Sequence, residues 1–117
     1  MGTSYGLVEV SGVVAAVETL DAMCKASQVD LVTWERKWGG RLVTIIVEGT
    51  VADVTAAVEA AEHITKANGH ILASCGVIAN PSEEIRKMVA FSAKRIGKEV
   101  LIYSFAQLAV EIAAEMQ

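Results

Sequence analysis

The chain has 117 residues, 53% of them hydrophobic but only 5% aromatic, and a formal net charge of -4. Such a length bounds a single domain whose core is built from Val, Ile, Leu and Ala. The charge excludes a general attraction to nucleic acid, and no apolar stretch reaches the length that crosses a bilayer.

So high an apolar share at this size favours burial between copies, because one small subunit cannot cover it all. The two cysteines, Cys24 and Cys75, have no metal-ligand spacing. Together with an N-terminus that lacks a basic region followed by a long apolar stretch, they give the expectation of a reducing compartment, the cytoplasm.

The elements alternate, with no low-complexity linker. A first strand is expected over 5–10, where Leu7, Val8 and Val10 are apolar and Gly6 permits close packing. A helix over 12–27 follows, drawn by Val13, Ala16, Val17, Leu20, Met23, Cys24 and Ser27 at helical spacing, with Glu18, Asp21 and Lys25 on the other face. Strands over 29–36 and 41–47 are near enough in sequence to pair antiparallel around a tight turn. The β-branched run Val43-Thr44-Ile45-Ile46-Val47 reads as a central, buried strand.

Thr50 is placed to cap a second helix, with Asp53 three residues on. Val54, Ala57, Val58, Ala61 and Ile64 draw its buried stripe, and Gly69 lies past its end. A fourth strand is expected over 70–78. Asn80-Pro81-Ser82-Glu83 then opens a third helix, with Asn80 as N-cap and Pro81 at the first helical position, running to Ile96 and stopping at Gly97. The order βαββαβ is that of the split βαβ, ferredoxin-like arrangement: an α+β fold with an antiparallel sheet and helices on one face.

Beyond that unit, Glu99 to Tyr103 reads as a short fifth strand and Ser104-Phe105-Ala106-Gln107 as a capping box. Phe105, Leu108, Ala109, Ile112, Ala113 and Met116 share one face of the helix so begun. That stripe needs a cover. Its own subunit or a neighbour can supply one, and so can an encapsulated enzyme or partner helix docked in the groove mode.

Residues able to carry catalysis do not converge in the sequence. His63 and His70 have no carboxylate or cysteine at triad or ligand spacing. Cys24 falls on the expected buried side of the first helix and Cys75 within a strand, where cysteine behaves as a small hydrophobe. Ser11, Ser27, Ser74, Ser82 and Ser92 lie in no nucleophile elbow, and Glu83-Glu84 belongs at a helix start for dipole reasons. There is no phosphate loop and no dinucleotide fingerprint. The expectation is a protein that is not an enzyme, with no cofactor and no metal.

What stands out instead is the turn Lys37-Trp38-Gly39-Gly40-Arg41, a bulky aromatic and two cations around a bare Gly-Gly backbone. Glycines there admit positive φ and close approach of another backbone or a ligand. Copies of such a turn brought around one axis would frame a hole.

Tyr5-Gly6-Leu7-Val8-Glu9-Val10, the helix ending Asp21-Ala22-Met23-Cys24-Lys25-Ala26, the turn, and Leu42-Val43-Thr44-Ile45-Ile46-Val47-Glu48-Gly49 follow one another in an order and spacing that resembles the hexamer-forming shell proteins of bacterial microcompartments. The resemblance covers roughly residues 5 to 90. It implies a microcompartment domain over 4–97, a C-terminal extension over 98–117 carrying the amphipathic helix, and a structural role as a hexameric tile. The implied partners are further copies, other shell proteins and, through the C-terminal helix, encapsulated enzymes; neither nucleic acid nor membrane is among them.

In that family the turn after the second strand lines a central pore, so the resemblance assigns the pore to Lys37, Trp38, Gly39, Gly40 and Arg41. Gly40 stands where the family has Ser, leaving backbone amides in place of hydroxyls, and one extra residue precedes the turn. A ring of Lys37 or Arg41 side chains would favour small polar or anionic metabolites. Trp38 either narrows the mouth or packs at the hairpin tip. Lys25 matches the family's edge lysine between hexamers, and Asn80 stands in place of its arginine partner, which predicts weaker sheet formation because Asn lacks the forked guanidinium. The other class open to a βαββαβ subunit is an oligomeric regulator that binds a small molecule between subunits; a ligand-dependent dimer or trimer, instead of a ligand-free hexamer, would mark it.

Overall fold

The computed structural model describes residues 3–36 and 41–102, with 95–102 as backbone alone. The elements run β1 (Ser4–Ser11), α1 (Val13–Ala26), β2 (Asp30–Arg36), β3 (Leu42–Gly49), α2 (Val51–Ala67), β4 (Leu72–Ile78) and α3 (Glu83–Ile102). The four strands form one antiparallel sheet in the order β2-β3-β1-β4, with β1 between β3 and β4. This is the strand order of the split βαβ layout expected from the sequence.

Alternation along the strands fixes which face is the core. Val8 stands opposite Ile45 and Val10 opposite Val43, and all four are buried. They meet Met23 of α1 and Val54, Ala57, Val58 and Ala61 of α2 in one cluster. Gly6 belongs to this face: a Cβ on it would come within 3.2 Å of both Val47 and Val58, so the strand passes closest to α2 there.

Helix α2 forms as its sequence predicts. The Thr50 hydroxyl accepts from the Asp53 amide at 3.1 Å and donates to the Asp53 carboxylate at 2.9 Å, satisfying one of the free amides of the first turn. Gly69, at φ 70, takes the left-handed position past its end.

Several expectations change. In α1 the buried row is Val13, Ala15, Ala16, Thr19 and Met23, whereas Val17 is 46% exposed and Cys24 is exposed. Thr19, although polar, occupies the centre of the contact and rotates the row away from Val17 and Cys24. Cys75 is likewise exposed, its thiol donating to Glu62 at 3.4 Å.

Asn80 does not cap α3. It sits in the left-handed region at φ 48, which asparagine tolerates, and Ser82 takes the cap position, its carbonyl accepting from the Arg86 amide at 3.0 Å. Strand β4 starts at Leu72, so His70 lies in the turn before it. Finally, α3 runs through Gly97 to Ile102, so 99–102 are helical and the fifth strand is absent. A single glycine costs a helix about 1 kcal/mol, too little to end one whose neighbours all remain helical. The amphipathic segment over 104–117 lies outside the described residues.

Helices α1 and α2 share one face of the sheet. Helix α3 takes the other, lying along β2, where Thr33 of the strand and Ser92 of the helix, both buried, hydrogen-bond at 3.0 Å. Over β1 and β4 no other described element covers that second face.

Candidate functional site

The hairpin that carries the expected pore turn is set by β2 and β3, which pair from Asp30 opposite Glu48 to Arg36 opposite Val43. Arg41 follows the turn, exposed to solvent. Its carbonyl accepts the Gly12 amide at 2.7 Å, and Gly12, at φ 99, has a conformation only glycine adopts readily. The start of α1 therefore holds the base of the turn on the β3 side. Lys37, Trp38, Gly39 and Gly40 lie outside the described residues, so of the expected pore set the structure positions Arg41 alone.

Lys25 occupies the last turn of α1, where a cation meets the negative end of the helix dipole. Its ammonium lies 2.7 Å from the Asp21 carboxylate, with both side chains largely exposed. A surface pair of this kind contributes little to stability. Asn80 is exposed in the turn between β4 and α3, with its backbone N–H donating to the Ser4 hydroxyl at 3.4 Å. Nearby, the Arg86 guanidinium donates to the Pro81 carbonyl at 3.2 Å and to the Thr3 carbonyl at 3.1 Å, tying this turn to the start of β1. Lys25, within α1, and Asn80, in the β4–α3 turn, are thus both exposed, each beside local partners.

The sequence hid one constellation. The Glu18 carboxylate accepts from the Asn68 side-chain amide at 3.0 Å and meets His70 Nε2 at 2.8 Å. The hydrogen bond to His70, then that to Asn68, holds the Glu18 carboxyl below its usual range. The cluster joins α1 to the α2–β4 turn. Spacing could not reveal it, because the partners are 50 and 52 residues apart.

Both thiols are pushed up, chiefly by desolvation; neighbouring Asp21 and Asp30 add to this at Cys24, and Glu62 adds to it at Cys75. That is opposite to the shift that activates a cysteine nucleophile. Among the described residues no group of three His, Cys, Asp or Glu side chains comes together to hold a metal ion. No helix among them is long and apolar enough to cross a membrane.

Residues 4–81 match the BMC domain model. The chain is 42% identical over 86 residues to the carboxysome shell protein CcmK1 of Thermosynechococcus vestitus, a match spanning 73% of this chain and 75% of that one. It is 37% identical over 93 residues to the carboxysome shell protein CsoS1A of Hydrogenovibrio crunogenus, spanning 80% and 96%. Among solved structures, a microcompartment protein from Desulfitobacterium hafniense superimposes with a TM-score of 0.65 at 27% identity; the alignment spans 79% of this chain and 49% of that chain, about half its length. The chain belongs to the BMC domain family, whose members are structural shell proteins and not enzymes.

Proposed function

We propose that this chain is a tile of a bacterial microcompartment shell: copies assemble as a hexamer with the 37–41 hairpins around the axis, and hexamers join other shell proteins edge to edge. Family membership over residues 4–81 is the observation that carries this reading. The exposed, glycine-anchored Arg41 at the base of the hairpin supports the cationic pore. With Lys37 it would draw small polar or anionic metabolites inward and oppose cations.

Edge contacts fall to Lys25 and to the turn bearing Asn80. An asparagine offers one short amide where the family offers a guanidinium, so lateral contacts are weaker than in relatives with arginine. Residues 4–97 form the tile, and 98–117 form an extension available to neighbouring subunits or to encapsulated enzymes. The location is the bacterial cytoplasm, in the shell itself.

Native mass measurement tests the ring. A ligand-free hexamer is expected, and a monomer, or a trimer formed only with a small molecule, overturns it. For the pore, anion flux through shells built from the Lys37→Ala, Arg41→Ala variant should lose its preference over cations; unchanged selectivity refutes the cationic aperture.

A further inference from the structure

Among the described residues, no element covers the face of the sheet opposite α1 and α2 over β1 and β4, where a groove of about 340 Å³ lies. Leu7, Gly76 and Ile78 give it an apolar floor, and Glu9, Thr44 and Ser74 a polar end. At Gly76 the floor is bare: a Cβ built there meets nothing within 4 Å, in contrast to the crowded Gly6.

The two sheet edges are also treated differently. Both edge strands carry a register irregularity, but edge strand β2 also carries Asp30, Glu35 and Arg36, charges that protect against unwanted pairing. Edge strand β4, Leu72–Ile78, contains no charge and no proline. A glycine in an edge strand is a place where an aromatic ring from across the contact restores the missing packing.

The chain displays a matching shape elsewhere. On α3, Phe91 is 71% exposed and Met88 62% exposed, costly positions for large apolar groups on a finished surface. Lys87 and Lys94 flank them, both exposed, at three- and four-residue spacings from Phe91 that keep them on one side of the helix. Lys87 lies 3.8 Å from Glu84, so Lys94 is the cation left to complement an apolar floor that ends in the Glu9 carboxylate, which accepts from the Thr44 hydroxyl at 3.2 Å.

We propose that the groove over β1 and β4 receives Phe91 and Met88 from α3 of a second copy of this chain, with the Phe91 ring over Gly76 and Lys94 toward Glu9. The contact is head-to-tail, since the two surfaces differ, and such contacts close into rings when the rotation between copies allows. This rests on the hexamer reading above and assigns it a specific pair of surfaces.

The test uses the full chain, with native mass and sedimentation as readouts. Gly76→Leu fills the seat with a side chain that the single subunit accommodates freely, and Phe91→Asp removes the occupant. Each is expected to convert rings into smaller species while far-UV circular dichroism stays unchanged. Glu9→Lys and Lys94→Glu should each weaken assembly about tenfold, and the double reversal should restore it.

A disulfide trap decides the matter should Gly76→Leu not fold. In a Cys24→Ser, Cys75→Ser background, Leu7→Cys with Phe91→Cys should oxidise to a ladder of linked subunits. An intramolecular loop overturns the proposal, because the groove would then be filled from within one chain. A hexameric wild type whose Gly76→Leu and Phe91→Asp variants assemble unchanged overturns this pairing alone, whereas a monomeric wild type removes the hexamer reading and the pairing together.

Discussion

The Glu18 carboxylate and the His70 imidazole meet at 2.8 Å across 52 residues of sequence, joining the outer face of α1 to the turn that feeds β4. Both side chains are partly open to solvent, 44% and 26% exposed. Their hydrogen bond, with that from Asn68, stabilises the charged form of Glu18.

A folded-state pKa held below the unfolded one adds stability that is present above the unfolded value and is lost as pH falls through the folded value. The Glu18 contribution is therefore intact at neutral pH and fades below about pH 4.5. Melting temperature followed from pH 7 to pH 3 should show Glu18→Gln below wild type at neutral pH and converging with it in acid. A constant offset across that range would contradict the linkage.

Thr33 and Ser92 share a buried hydrogen bond between β2 and α3. Ser92→Ala strands the Thr33 hydroxyl in an apolar contact and should cost about 1–3 kcal/mol in urea unfolding. Thr33→Val combined with Ser92→Ala leaves no orphaned hydroxyl and should recover a good part of that loss. Strict additivity of the two single effects would show that the pair does not act as a unit.

The cap of α2 is a smaller and more local contribution. Thr50→Ala removes the acceptor for the Asp53 amide and should lower stability by about 1 kcal/mol, whereas Thr50→Ser should hold it near wild type. Equilibrium denaturation of the two variants checks this.

Two glycines predict opposite outcomes. Gly6→Ala pushes a methyl to within 3.2 Å of Val47 and Val58 and should cost about 1–3 kcal/mol by overpacking. Gly76→Ala meets no neighbour in the subunit and should leave its unfolding free energy unchanged or slightly raised. Equal losses at both positions would mean that Gly76 is already covered within one chain.

The strands and helices through residue 96 were legible because their periodicities are clean: Val8 and Val10 alternate on β1, and Val54, Ala57, Val58 and Ala61 recur on α2. Reading α1 by apolarity alone selected Val17 and Cys24, because a threonine does not announce itself as core; yet Thr19 is fully buried. Asn80 carried two meanings, helix cap and left-handed turn residue, and only the backbone angle separates them. The opposite-face position of α3 and the Glu18–Asn68–His70 cluster both depend on how distant segments pack, which short-range spacing does not encode. The turn expected to line a pore was conspicuous in composition, and of its residues Arg41 is the one that the described structure anchors.

In β2 the register slips between Leu31 and Thr33, leaving Val32 without a counterpart on β3. That supernumerary residue sets the phase of everything beyond it: Trp34 turns toward Ile45 and the main core, and Thr33 toward α3. Because side chains on a strand switch sides at every step, removing one residue from this slip would move the side chains between it and Arg36 to the opposite faces of the sheet. If the 37–41 hairpins frame a pore as proposed, the count of residues in β2 governs which groups they present as much as their chemistry does, and gain or loss of a single codon there is a direct route to a shell of different permeability.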